Sequence, residues 1–228
     1  MTSPGTVLVT GGSSGLGAAT VEAVRDAGGR PLVLDRVPPV DGVEHVVVDL
    51  IDRPAVEAAV DHLAAQAGGI DGVLTAAGID RCGALTDVPA DEWERVLQVN
   101  LLGTVSTVRA ALPFLQRSGG TVVTVASTLG MKAVADATAY CASKFGVVGF
   151  TRALAAETKG RVRVTLLVPG GMQTAFFDDR TEQYRPGPDA KLNRPEDVAR
   201  SVLVALTQPP GCEIRELVVT SSEESSWP

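Results

Sequence analysis

The stretch TVLVTGGSSGLGAATVEAVRDAGGRPLVLD, residues 6–35, decides how the rest of the chain is read. A β-branched run over residues 6–10 leads into the turn GGSSGLG, and helical periodicity follows over residues 16–27. RPLVLD, residues 30–35, is a second strand. Strand, glycine turn, helix, strand is the building unit of a parallel sheet, because parallel neighbours need a crossover long enough to hold a helix.

The same alternation continues outward from this unit. Further strands are expected over residues 43–49, 72–78, 121–127, 161–170 and 216–220, with helices opened by Asp52 and Pro54, from about Ala90, over residues 137–158 and from Pro195. Asp52 is read as the cap of its helix, and Asn193, three residues before Glu196 with Pro195 between them, as the cap of another. Strands this apolar on both faces belong in a parallel sheet covered on both sides. The expected fold is therefore α/β, a single-domain Rossmann-like doubly wound sheet of about seven strands. One domain is expected over residues 1–228, with a substrate loop at about 171–192 and a short tail at 221–228.

Composition narrows the chemistry. Of 228 residues, 45% are hydrophobic, and 27 acidic against 20 basic residues give a net charge of −7. The basic residues are scattered singly, which does not suit a phosphate backbone, so no nucleic-acid partner is expected. No run reaches 18 apolar residues and no basic n-region precedes an apolar one, so neither a membrane partner nor a leader is expected. The cysteines, Cys82, Cys141 and Cys212, are odd in number and lack CxxC spacing, which fits a reducing, cytoplasmic setting. His45 and His62 stand far apart, each in an apolar or helical run, and no metal site is expected.

In a doubly wound sheet the first strand-to-helix turn lies where backbone N–H groups and a helix N-terminus can receive a pyrophosphate. Gly11, Gly12, Gly15 and Gly17 occupy that turn; the alternative reading is a tight connection and nothing more. Asp35 closes the second strand 20 residues after Gly15, placed to accept from adenosine ribose hydroxyls. The same carboxylate disfavours a 2′-phosphate: like charges about 4 Å apart cost roughly 4 kcal/mol at an effective dielectric near 20. NAD is favoured over NADP on that ground, although Arg36 could pair with a phosphate. Asp49, closing the third strand, is a candidate for an adenine amine or a plain strand-end turn residue. In YCASK, Tyr140 and Lys144 stand four residues apart on one helical face. An ammonium about 5 Å away would lower a phenol pKa by roughly two units at that dielectric, making Tyr140 an acid or base near neutrality. Ser127 ends the fifth strand, at the edge where ligands bind.

With these residues in view the chain resembles the short-chain dehydrogenase/reductase family over nearly its whole length. The matching pieces are TGGSSGLG at residues 10–17, Asp35, Asp49 with Leu50, TAAG at 75–78, Asn100 in VLQVNLLG, Ser127, YCASK at 140–144 and PGGMQT at 169–174. The resemblance implies a catalytic set of Asn100, Ser127, Tyr140 and Lys144. Tyr140 would pass the proton and Ser127 would bind the substrate oxygen. Lys144 would hold the nicotinamide ribose, and Asn100 a relaying water. Cofactor contacts would come from Gly11, Ser13, Ser14, Gly15, Leu16 and Gly17 in the turn, from Asp35, Arg36, Asp49 and Leu50, from Ala76, Ala77 and Gly78, from Tyr140 and Lys144, and from Pro169, Gly170 and Thr174. Thr75 departs from the family's Asn, and its hydroxyl can replace only part of that residue's bonding. The ending RELVVTSSEESSWP departs too, putting the usual C-terminal contribution to the pocket in doubt.

Three loops are expected to border the nicotinamide, at residues 79–88, 128–136 and 171–192. Leu129, Met131, Val134, Phe176, Phe177 and Tyr184 make them mostly apolar, which suits a small or medium, largely apolar secondary alcohol or ketone. Phe176 and Phe177 could equally do no more than pack their loop. The family resemblance implies a homo-oligomer, tetramer or dimer, and Trp227 is expected to pack on its own or a neighbouring subunit. The expected function is hydride transfer between NAD(H) and a secondary alcohol or ketone; the alternative is a non-catalytic NAD(P)-binding regulator of the same fold.

Overall fold

A computed structural model describes residues 3–39 and 42–227. Seven strands form one parallel sheet: β1 (Thr6–Thr10), β2 (Arg30–Asp35), β3 (Glu44–Val47), β4 (Gly72–Thr75), β5 (Thr121–Val125), β6 (Arg163–Pro169) and β7 (Glu216–Val219). Their order is β3-β2-β1-β4-β5-β6-β7. β1 therefore has β2 on one side and β4 on the other, with Thr10 paired to Leu34 and to Thr75. The chain winds outward twice from β1, and the crevice where the direction changes opens beyond the carboxyl ends of β1 and β4.

The crossovers are α1 (Gly15–Asp26), α2 (Arg53–Ala67), α3 (Ala90–Leu97), α4 (Thr104–Ser118), α5 (Thr138–Glu157) and α6 (Pro195–Leu206). Alternation along each strand sorts the core into two layers. Leu8, Leu32 and Leu34 face α2, α4 and α5, while Val7, Val9 and Val33 face α1 and α6. Both sets are fully buried, which explains why these strands read as unbroken apolar runs. The single expected domain is one sheet with these two layers on its faces.

Several details differ from the sequence reading. β3 stops at Val47 rather than at residue 49 and alternates between half-buried and exposed positions, because it is the sheet edge. The helix expected from about Ala90 is interrupted by a π-helical turn, Gln98–Gly103, between α3 and α4. Asp52 caps α2 as expected, its side chain accepting from the Ala55 N–H at 3.1 Å. Asn193 does not cap α6, whose cap position is Arg194. The Asn193 amide instead donates to the Gly171 carbonyl at 3.2 Å, and its backbone bridges to Met172, so the residue fastens the loop after β6.

The end of the chain folds back over the sheet. Trp227 packs on its own subunit, against the buried cluster of Val147, Leu166 and Val168 on which Leu101 and Met131 also pack. Pro228, the last residue of the expected tail, lies outside the described residues.

Candidate active site

A cavity of about 810 Å³ lies beyond the carboxyl ends of β1, β2, β4, β5 and β6. Its floor at one end is the glycine turn. Gly11 and Gly15 have φ of 70° and 51°, a region that favours glycine. A Cβ on Gly11 would lie 2.8 Å from the Ala77 backbone, and one on Gly15 would lie 3.2 Å from the Thr174 methyl. Gly17 has a different duty: a Cβ there would meet the Gly11 carbonyl oxygen at 1.9 Å, so the residue lets α1 pack on the turn and does not itself face the cavity. Ser14 is the cap of α1 without a capping side-chain bond, and the first turn holds no acidic residue. The amino end of α1 is thereby left electropositive.

Asp35 stands at the end of β2 as expected. Its carboxylate accepts from the Ser13 N–H at 3.0 Å and from the Arg36 and Val37 N–H groups at 2.6 and 3.2 Å. The Ser13 hydroxyl donates to the Val37 carbonyl at 2.7 Å, so Ser13 braces the turn rather than lining the cavity. Asp35 and the exposed Arg36 both border the cavity. Asp49 borders it too, but its carboxylate already accepts from Arg95 at 2.9 Å and from the Ile51 N–H at 3.2 Å, which is the turn-residue role. Leu50 contributes a buried wall.

Ala76, Ala77 and Gly78 follow β4 along the cavity side. The Ala77 N–H donates to the Thr10 hydroxyl at 3.3 Å. Thr75 was expected to supply part of the bonding of an asparagine, yet its buried hydroxyl has no hydrogen-bond partner. Asn100 is 1% exposed and does not reach the cavity. It accepts from the Ile79 N–H at 2.8 Å and donates to the Ile79 carbonyl at 2.9 Å and the Ser143 hydroxyl at 3.1 Å. The π turn aims it there, and such turns are frequent at functional sites.

Ser127, Tyr140 and Lys144 meet on the opposite wall, all three on the cavity. Ser127 caps a short 3₁₀ turn, its oxygen accepting from the Leu129 N–H at 3.1 Å. That fixes the hydroxyl rotor while leaving its proton free to donate. The Lys144 ammonium lies 5.6 Å from the Tyr140 ring centre and donates to the Val125 carbonyl at 2.9 Å. The expected lowering of the phenol pKa is not what the folded chain shows. Burial pushes Tyr140 up to about 12, against a smaller downward effect of its hydrogen bond with Ser127. Burial also draws Lys144 down to about 8. The sequence estimate counted one charge pair and left out the desolvation of both groups, which is the larger effect here.

The loop after β6 closes the cavity. Pro169, Gly170 and Thr174 line it, as do Phe176 and Phe177. The Phe176 ring lies tilted at 5.7 Å from the Tyr140 ring and edge-on at 5.4 Å from Phe177, so these rings both pack the loop and wall the cavity. Leu129 also faces the cavity. Met131 and Val134 do not: Met131 packs on the buried cluster of Val147, Leu166 and Val168, and Val134 is exposed. Tyr184 turns away as well, donating to the Asp136 carboxylate at 3.1 Å.

Charged groups that sequence reading missed join the apolar side chains of these loops on the cavity wall. Asp80, on the loop after β4, is 2% exposed and ion-paired with Arg180 from the loop after β6. Asp179, Lys191 and Glu223 add further charge to the wall. The tail, whose contribution was in doubt, lines the cavity through residues 223–226. The Glu224 carboxylate accepts from the Gly171 N–H at 3.1 Å, and the Ser226 hydroxyl donates to Thr128 at 2.7 Å. No periodicity or motif marks these residues, which acquire a role only when distant loops meet.

Comparison with known proteins follows the same lines. The family model described as short chain dehydrogenase matches residues 5–185. An uncharacterized oxidoreductase of Staphylococcus aureus strain MW2 is 33% identical over 224 residues, covering 93% of this chain and 95% of the relative. The ligand-free aldohexose dehydrogenase of Thermoplasma acidophilum superposes with a TM-score of 0.86 at 25% identity, covering 95% of this chain and 92% of that one. An alcohol dehydrogenase of Thermococcus sibiricus, complexed with 5-hydroxy-NADP, superposes with a TM-score of 0.83 at 25% identity, covering 94% and 95%.

Proposed function

Because the chain belongs to the short-chain dehydrogenase family, we propose that it is an oxidoreductase moving hydride between NAD(H) and a secondary alcohol or ketone. The observation that carries the reading is the convergence of Ser127, Tyr140 and Lys144 on one wall of a cavity whose other end is a glycine turn with Asp35 beside it. The residues fit a dinucleotide. Gly11 and Gly15 bring the turn's backbone onto the cavity, α1 presents its amino end, and Asp35 can accept from ribose hydroxyls. The bound nicotinamide supplies the hydride chemistry.

The chain's own groups handle the substrate oxygen and its proton. Ser127 donates to that oxygen and steadies the charge that develops on it. Tyr140 takes the alcohol proton in oxidation and returns it in reduction. Its phenol ionises against burial, so the reaction needs cationic help at the moment of transfer, and Lys144, 5.6 Å from the ring centre, supplies it. Asn100 holds the strand-end backbone at Ile79, which keeps Gly78 beside Lys144. The mixed polarity of the wall favours a substrate with polar groups over a purely aliphatic one.

The Asp35 carboxylate supports NAD over NADP, whereas Arg36 would favour NADP, and turnover with each cofactor distinguishes them. Tyr140→Phe should keep cofactor binding in a fluorescence titration and lose about 10²–10⁴-fold in oxidation of a panel of secondary alcohols. Unchanged turnover in that variant would overturn the mechanism. Assembly into a homo-oligomer is supported by exposed apolar Leu102 and Phe145, on the π turn and α5. A cytoplasmic setting is supported by three free thiols. Among the described residues no helix is long and apolar enough to cross a membrane.

A further inference from the structure

Six groups bear on Tyr140 from the elements around it, by hydrogen bonding, charge or ring contact. Ser127 comes from the end of β5, Cys141 and Lys144 from α5 itself, Asp80 from the loop after β4, and Phe176 and Arg180 from the loop after β6. Two of them form an ion pair that the reaction scheme does not use. The Arg180 guanidinium lies 4.6 Å over the Phe177 ring and 5.4 Å over Phe176, and Phe176 in turn rests on Tyr140. One edge of the guanidinium pairs with Asp80 and another donates to the Tyr184 carbonyl at 3.2 Å. Asp80 is otherwise bonded to the Arg81 N–H and the Cys82 thiol, neither of which carries a compensating charge. Only a planar, delocalised cation can pair at its edge and stack on its face at once.

We propose that Arg180 is a positioning residue for the proton step: carried on the loop after β6, it cancels the Asp80 carboxylate beside Tyr140 and seats Phe176 on the phenol ring. Loop closure and the readiness of Tyr140 to ionise are then one event. When the loop lifts, an uncompensated buried carboxylate faces the phenol and holds its proton on. When it closes, the charge is cancelled. The directions agree, since Asp80 pushes the Tyr140 pKa up and Arg180 draws it down. The proposal rests on Tyr140 as the acid/base.

The test needs no known substrate. The chain has 2 Tyr, so Tyr184→Phe leaves Tyr140 as the sole tyrosine, and its ionisation is followed by phenolate absorbance with NAD bound. In that background Arg180→Met should move the ionisation upward by about one pH unit, a tenfold change. Asp80→Asn should move it downward, and the double variant should return it near the parent. The pH profile of alcohol oxidation should shift in step. Equal midpoints in all four chains would overturn the proposal, as would a double variant displaced as far as Arg180→Met. If Arg180→Met fails to fold, Asp80→Asn decides alone: an unmoved midpoint overturns the proposal, and a lower one supports it. Should Tyr140→Phe keep full turnover, the mechanism falls by a different measurement.

Discussion

At Lys144 the reaction and the fold make opposite demands. Burial draws the ammonium down to about 8, well below the ordinary lysine value, so the fold penalises the charged form without discharging it at pH 7. A depressed pKa contributes stability that is present above the unfolded value near 10.5 and is lost as pH falls through about 8. At pH 7 the native state therefore carries a buried cation held by the Val125 carbonyl. Lys144→Met should stabilise the chain at pH 7 without cofactor, on the order of 1–3 kcal/mol, or about 2–4 °C of Tm per kcal/mol. The gain should shrink as pH rises from 8 to 10.5 while turnover is lost throughout. Melting curves at pH 7 and pH 10 check this, and a destabilised variant at pH 7 would contradict it. The pair itself was legible in the sequence because four-residue spacing fixes a helical face. Its ionisation was not, because burial depends on what β5 and the loop after β6 lay over it.

The elements were readable where a local rule decided them. Strand cores, the Asp52 cap and the glycine turn each follow from side chains a few positions apart. Asn193 carried the same kind of signal and was claimed by Gly171 instead, a tertiary contact overriding a cap preference. The π turn had no signal; it is set by the bonds of Asn100 to Ile79 and Ser143, 21 and 43 residues away. In the glycine turn, four glycines look alike in sequence and divide in space. Gly11 and Gly15 hold positive-φ conformations and let the Ala77 backbone and the Thr174 side chain approach, whereas Gly17 admits the helix. Gly17→Ala forces its new methyl into the Gly11 carbonyl, a backbone atom that cannot rotate away. Overpacking of this kind costs about 1–3 kcal/mol or more. The expected result is a lower urea midpoint together with weakened NAD binding, since the turn shifts with α1. A variant with the parent's midpoint and affinity would contradict the packing role.

For the whole molecule, the family scaffold and the trio of Ser127, Tyr140 and Lys144 were legible because they sit at strand ends and on one helix. The substrate side was not, because Asp80, Arg180 and the tail come from segments up to 146 positions apart along the chain, Asp80 to Ser226. The outer face carries its own expectation. Phe145 is 45% exposed on α5, with open space at Gly149 one turn further on, and Leu102 is 55% exposed on the π turn that packs against α5. A second copy covering this face would bury both. Phe145→Asp should lower the sedimenting mass from oligomer to a smaller species without changing the secondary structure, and an unchanged mass would place the interface elsewhere. The loop that roofs the cavity has one more consequence, for a protease that cuts after Lys and Arg. It offers four such bonds, but those after Arg185 and Arg194 are blocked by the prolines that follow. Lys191 is exposed, while the Arg180 side chain is 17% exposed and gripped by Asp80. The ratio of nicking at these two bonds thus reports how often the roof is lifted, and a ligand that closes it should silence the Arg180 cut before the other.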